Sequence, residues 1–180
     1  MKFTIENYIK QHNLAIENLD HQEIKNGIKL IQDAIIKGKR VAVCGNGGSA
    51  VAASHYITDW NKMVYFHTKT QFNGICLSDN IGLITAYSND LSYDDVFSEQ
   101  VKNLLVPGDL LIVLSGSGNS KNVIKAVNVA NKMGISTLAI CGYDGGKLKQ
   151  VASNYLWVRS FDMQICEDAQ TVFGHMVMKE

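Results

Sequence analysis

The chain predicts an α/β fold, a three-layer sandwich built on a five-stranded parallel sheet with helices on both faces. Three observations carry that expectation. Short, continuously apolar runs recur from Arg40 onward, the pattern of strands buried on both sides. Segments of helical periodicity separate them. Two loops rich in glycine and serine, Cys44–Ala50 (C-G-N-G-G-S-A) and Ser115–Ser120 (S-G-S-G-N-S), each stand between such a run and such a segment.

Taken in order, Ile5 to Leu19 and Gln22 to Lys37 read as helices. In the second, Ile24, Ile28, Ile31, Ala34 and Ile35 recur at three- and four-residue spacing and form one apolar stripe. Two amphipathic helices ahead of the first strand exceed what a small sheet needs as cover. At least one is therefore expected against a neighbouring subunit, with packing on the sheet as the plainer role. Strands are expected at Arg40–Cys44, Gly74–Leu77, Leu110–Leu114, Ser136–Cys141 and Asn154–Val158. Helices are expected near Ser49–Asn61, Asn80–Tyr87, Tyr93–Leu105, Asn119–Met133, Lys147–Ala152 and from Ile165 to the end. One proline and no low-complexity linker imply a single domain, with residues 1–38 as N-terminal helices and 39–180 as the α/β core.

Composition excludes several classes. Seventeen basic residues balance seventeen acidic ones without a basic run, so neither nucleic acid nor an anionic membrane is an expected partner. Met1–Lys10 is polar and mixed in charge, unlike a signal peptide, and no apolar stretch reaches spanning length. Cys44, Cys76, Cys141 and Cys166 are far apart, form no C-x-x-C pair and sit in or beside apolar runs. They read as reduced thiols of a cytoplasmic protein.

In a parallel sheet, ligands bind outside the carboxyl ends of the strands, where both glycine loops fall. Each loop offers backbone N–H groups and a helix N-terminus to an anion. Ser49, Ser54, Ser115, Ser117 and Ser120 add five hydroxyls, which points to one phosphate of a small molecule, held without a metal or a basic residue. Gly45–Ala50 formally satisfies G-x-G-x-x-A, but the acidic residue expected about 20 positions on is missing. The nearest, Asp79, lies 29 residues past Ala50, so no nucleotide cofactor is expected. Neither loop has the Gly-Lys-Ser/Thr ending of a Walker A motif. The plainer reading of such glycines and serines is tight turns and helix caps.

These motifs resemble the SIS (sugar isomerase) domain family and, within it, the phosphoheptose isomerases. The resemblance spans C-G-N-G-G-S-A, Ser54-His55, Ser78-Asp79, Thr85-Ala86, Asn89-Asp90 and Pro107–Asp109. It continues through Ser115–Ala126, Gly142–Leu148 (G-Y-D-G-G-K-L) and Gly174-His175. It implies a flavodoxin-like sheet and a homotetramer with active sites between subunits. It also implies sugar phosphate on Ser115, Gly116, Ser117 and Ser120, with Asn46, Gly47 and Ser49 touching the sugar.

Aldose–ketose isomerisation needs a base near carbon and an acid or a metal near the developing oxyanion. The resembling enzymes use a glutamate after the first loop and a histidine on the last helix. Some bind zinc through a histidine, that glutamate, a glutamine and the final histidine. Carried onto this chain, the positions are His55, Asp59, Glu167 and His175. His175 and Asp59 are thus the implied catalytic pair, and all four are implied ligands of zinc or another divalent metal, with Glu167 also at the substrate.

Two are departures, aspartate for glutamate and glutamate for glutamine. Carboxylates favour a metal, whereas aspartate is shorter by roughly 1.5 Å of chain, enough to misplace a base. Helical periodicity aligns Asp168 with His175 and offsets Glu167 by about 80°; the resemblance favours Glu167. A third departure is Trp60–Tyr65, where the family carries an arginine-containing stretch; Lys62 is the charge available there, or else the sugar differs. Asp79 and Asp90 are expected in loops at the binding edge, with Asn89 beside them, either on sugar hydroxyls or as turn caps. His12, His21 and His67 read as surface residues. The function expected is conversion of sedoheptulose 7-phosphate to D-glycero-D-manno-heptose 7-phosphate. The alternative is a non-catalytic phosphosugar-binding or protein-interaction module.

Overall fold

In the computed structural model, which describes residues 4–180, two helices precede an alternating α/β core. The part of the N-terminal stretch before Thr4 lies outside the described residues. Helices α1 (Ile5–Glu17) and α2 (His21–Ile36) start at Thr4 and Asp20, whose side chains accept backbone N–H groups of the first turn. The strands are β1 (Arg40–Gly45), β2 (Asn73–Cys76), β3 (Leu110–Ser115), β4 (Ser136–Cys141) and β5 (Asn154–Trp157). All pair in parallel in the order β2-β1-β3-β4-β5, the flavodoxin-like order.

Helix α3 (Gly48–Thr68) follows β1, α4 (Ile81–Asp90) follows β2, and α5 (Ser98–Leu104) precedes β3. Helices α6 (Lys121–Lys132), α7 (Gly146–Val151) and α8 (Met163–Val177) complete the chain. Val41, Val43, Ile112, Leu114, Leu138 and Ile140 face α2, α3 and α8 on one side of the sheet. Ala42, Cys44, Leu111, Val113 and Ala139 face α5, α6 and α7 on the other. Continuous apolar strands are the consequence of this double cover.

Two expected elements differ. The helix after the first loop runs on to Thr68, two turns beyond Asn61, because Met63–Phe66 continue its register with no glycine or proline to stop it. The expected helix Tyr93–Leu105 is a 3-10 turn at Tyr93–Asp95 followed by α5. Of the N-terminal pair, α2 lies on the sheet through buried Ile28, Ile31 and Ala34. α1 leans on α8 and leaves Ile5, Ile9 and Leu14 exposed.

Candidate active site

The order 2-1-3-4-5 makes the chain leave β1 and β3 in opposite directions, and the carboxyl ends of those two adjacent strands bound a crevice. Both glycine loops sit there. They enclose a cavity of about 250 Å³ lined by Asn46–Ser49, Leu114–Ser117 and Ser120, and closed by Met163 and Glu167 of α8. The N-terminus of α3 and that of α6 meet at it, so unpaired N–H groups and positive helix ends converge on one space.

The second loop presents its hydroxyls in a definite way. Ser115 Oγ accepts the Gly118 N–H (3.1 Å) and Ser117 Oγ accepts the Asn119 N–H (3.3 Å). A hydroxyl that accepts keeps its own hydrogen to donate, here to a ligand oxygen. Ser120 is the N-cap residue of α6 but makes no side-chain cap bond, so the plain capping role does not occupy it. The G-Y-D-G-G turn braces this loop from below: Gly142 N–H donates to Gly116 O (2.9 Å), Leu148 N–H to Gly118 O (2.9 Å) and Lys147 N–H to Asn119 Oδ1 (3.1 Å).

Four residues hold the first loop. Ser78 Oγ donates to Gly45 O (3.0 Å). Asn46 and buried Asn122 exchange amide hydrogen bonds, and the Tyr93 hydroxyl adds a third bond to Asn46 Oδ1 (2.8 Å). Ser49 is not a cap: Gly47 takes the cap position, and buried Ser49 meets Gln170 of α8 at 3.0 Å. Tyr93, Asn122 and Gln170 carry no motif of their own and were not singled out from sequence. Only Asn122, lying inside S-G-S-G-N-S-K-N, had a visible connection to the loops.

Glu167 and Asp168 point to different places. Glu167 is in the cavity, its carboxylate so close to Gly48 that a Cβ there would lie 2.3 Å from Oε1. That puts an anion at the start of α3, a favourable position. Asp168 turns to α1 and accepts the Tyr8 hydroxyl at 2.6 Å, which pushes the Tyr8 pKa up to about 12.

A second cluster lies along the same two helices. His55 Nε2 is 3.0 Å from His175 Nε2 and 3.3 Å from Asp59 Oδ2. One ligand atom from each of the three residues falls within 4.8 Å of the others. His55 and Asp59 share a face of α3 at i, i+4. His175 is brought to them because Gly174 lets α8 close on Tyr56: a Cβ at Gly174 would lie 2.2 Å from the Tyr56 ring. Trp60 Nε1 also donates to Gly174 O (3.2 Å). Glu167 is not in this cluster. Eight residues separate it from His175, about 12 Å along a helix axis, so of the four implied ligands the chain assembles three and leaves the fourth at the cavity between the glycine loops.

Several other expected residues lie away from the cavity. Ser54 sits in the second turn of α3 and does not line it. Asn89 and Asp90 are the last residues of α4, not a loop, because the helix begun at the Asn80 cap runs on to Leu91; the Asn89 amide donates to Asp90. Asp79 is exposed in the turn after β2, and Lys62 is exposed on α3. His21 and His67 are at the surface, with His12 half-buried. All four cysteines are free. Burial pushes the Cys44 thiol far up and those of Cys76 and Cys141 to about 12. The cysteine that opens the first loop is therefore structural rather than nucleophilic.

Fold and site together define a doubly wound α/β protein whose anion-suited pocket sits at the topological switch point. The chain belongs to the SIS domain family, whose model matches residues 6–142. It is 38% identical over 170 residues to a probable phosphoheptose isomerase of Thermoplasma acidophilum, covering 94% of this chain and 93% of that one. It is 34% identical to a phosphoheptose isomerase of Campylobacter concisus, covering 98% and 94%. The structure of the phosphoheptose isomerase GmhA from Neisseria gonorrhoeae superposes with a TM-score of 0.89 at 26% identity, covering 97% and 95%.

Proposed function

We propose that this chain is a sugar-phosphate isomerase that interconverts sedoheptulose 7-phosphate and D-glycero-D-manno-heptose 7-phosphate. One observation carries the reading: a hydroxyl-lined pocket between the two glycine loops meets the starts of α3 and α8, and a His–Asp–His cluster lies further along those two helices. A phosphosugar has the same two-ended chemistry, an anion at one terminus and an exchangeable C–H beside a carbonyl at the other.

In this reading Ser115, Ser117 and Ser120 donate to the phosphoryl oxygens, and the start of α6 stabilises their charge. Asn46, Gly47 and Glu167 hold sugar hydroxyls. His175 and Asp59 move the protons between C1 and C2 and between the two oxygens, each needing only hydrogen-bond reach of its atom. Binding at the serines fixes the reacting carbons, which converts binding energy into orientation.

Alternatively, the His55, Asp59 and His175 cluster fits a divalent metal, in which case Asp59 and His175 would hold the ion instead of acting as free bases. Two nitrogens and an oxygen suit zinc, and catalytic zinc sites commonly have three protein ligands. The 3.0 and 3.3 Å separations approach the edge of a tetrahedron with bonds of about 2.0–2.1 Å, roughly 3.3 Å. When bound, such an ion would supply a Lewis acid for the substrate's oxygens.

A homotetramer is part of the proposal. Helix α4 buries no residue within the protomer, and Ile81, Leu91, Tyr65 and Phe66 are exposed, as are Ile5, Ile9 and Leu14 of α1. Four unbridged thiols suit the cytoplasm, and no helix among the described residues is long and apolar enough to cross a membrane. The test is incubation with sedoheptulose 7-phosphate, with and without zinc, followed by NMR of the anomeric region. Appearance of aldose signals supports the reading. Binding without turnover under both conditions would assign the chain to the non-catalytic module instead.

A further inference from the structure

Gln170, on the buried face of α8, carries the one buried side-chain polar atom that lacks a hydrogen-bond partner among the described residues. That atom is Nε2, and the residue is 1% exposed. It is nonetheless firmly placed. Its main-chain carbonyl accepts the hydroxyl of fully buried Tyr56, and its side chain meets Ser49 Oγ at 3.0 Å. As the amide is oriented, Ser49 donates its hydrogen to Gln170 Oε1, and both hydrogens of Nε2 are left inside the protein without an acceptor. A buried unpaired N–H is costly and rare; a buried carbonyl oxygen short of partners is tolerated better.

The two ends of a glutamine amide are told apart only by the network they join. Half a turn of the amide plane exchanges them. Nε2 then donates to Ser49 Oγ, and the oxygen takes the position where no donor is needed. Ser49 becomes an acceptor, and its hydrogen is released toward the cavity that it lines. This is the arrangement that Ser115 and Ser117 already show, each accepting an N–H and keeping its hydrogen. The first loop differs only in taking its donor from a side chain on α8 instead of from the backbone.

We propose that Gln170 is a positioning residue that donates to Ser49 and thereby makes the Ser49 hydroxyl a hydrogen-bond donor to the sugar phosphate. The inference rests on the sugar-phosphate reading of the pocket. It couples α8, which carries Glu167 and His175, to the first loop through one buried contact.

Steady-state kinetics of the full chain on sedoheptulose 7-phosphate, with melting temperatures, provide the first arm. Ser49→Ala should raise KM by about five- to tenfold, the size of one neutral hydrogen bond, with kcat within about twofold. Gln170→Met, which keeps volume and removes donors, should raise KM similarly without lowering the melting temperature. The Ser49→Ala/Gln170→Met double variant should be no worse than Ser49→Ala alone. If Ser49→Ala raises KM and Gln170→Met leaves it unchanged, Gln170 is only a core residue and the inference is overturned. If Ser49→Ala itself has no effect, the pocket reading fails. The second arm needs no variant: an atomic-resolution crystal structure of the parent protein should place Nε2 facing Ser49. Oε1 facing Ser49 overturns the inference whatever becomes of the enzyme's activity.

Discussion

Asn46 and Asn122 exchange a reciprocal pair of amide hydrogen bonds, 2.9 Å in each direction, that ties the first glycine loop to the opening turn of the helix after the second. Asn122 Oδ1 also accepts the N–H of Val123 at 2.9 Å, so the pair is anchored to the α6 backbone. The two loops are therefore one rigid frame rather than two independent turns. Asn122→Leu removes both bonds and leaves Asn46 without that partner in the crevice. It should destabilise the protein by about 1–3 kcal/mol and raise KM for the sugar phosphate, as read by thermal melts and steady-state kinetics. Tyr93→Phe, which deletes only the third bond to Asn46, should do the same more weakly.

Loss of the histidine on α8 should affect chemistry and not binding. His175→Ala should lower kcat by about 10²–10⁴ while the dissociation constant of the sugar phosphate, measured by calorimetry, stays near the parent value. Retained activity would remove His175 from the proton-transfer role.

The serines of the second loop should behave in the opposite sense. Ser117→Ala and Ser120→Ala should each raise KM by about five- to tenfold and leave kcat nearly unchanged, because in the proposed binding mode each removes a hydroxyl at the non-reacting end of the substrate. Ser115→Ala should also cost stability, since its oxygen accepts the Gly118 N–H inside the protein.

Metal content gives an independent check on the cluster. Elemental analysis of untreated protein should find zinc or another divalent ion near one equivalent per chain, and His55→Ala should lose it. Glu167→Gln should retain it, because Glu167 is at the cavity and not among His55, Asp59 and His175.

The contact between α1 and α8 should respond to alkali. Tyr8 donates to Asp168, and its pKa rises to about 12, chiefly through that hydrogen bond. A phenol whose folded pKa lies above its unfolded value of about 10 stabilises the fold below pH ~10, and the contribution fades as the pH climbs to about 12. The melting-temperature gap between the parent and Tyr8→Phe should be constant from pH 7 to 9.5 and close toward pH 12.

Much of this architecture was legible in the residues. The five strands fall within a residue or two of the apolar runs: β1, β3 and β4 are buried on both faces, which leaves little room for polar positions, whereas edge strands β2 and β5 are only partly buried. The loops at the switch point followed from glycine and serine after β1 and β3. Elsewhere tertiary context decided. The choice between Glu167 and Asp168 depended on which helix packs beside α8: α1 captures Asp168 through Tyr8, a contact between residues 160 positions apart. Periodicity measured from His175 cannot register it. Asn122, Tyr93 and Gln170 escaped notice for the same reason, since a single amide or phenol shows its partner only after folding. The extra turns of α3 were a local misreading: nothing in Met63–Phe66 breaks a helix.

The central claim is that the hydroxyls at the β1/β3 crevice grip the phosphoryl group of a sugar. Diffraction from crystals soaked in sedoheptulose 7-phosphate tests it most directly. Phosphoryl oxygens are expected within hydrogen-bonding distance of Ser115, Ser117 and Ser120, with the sugar chain leading away past Asn46 and Glu167. A phosphoryl group lodged instead at His55 and His175, with the crevice holding only solvent, would contradict it.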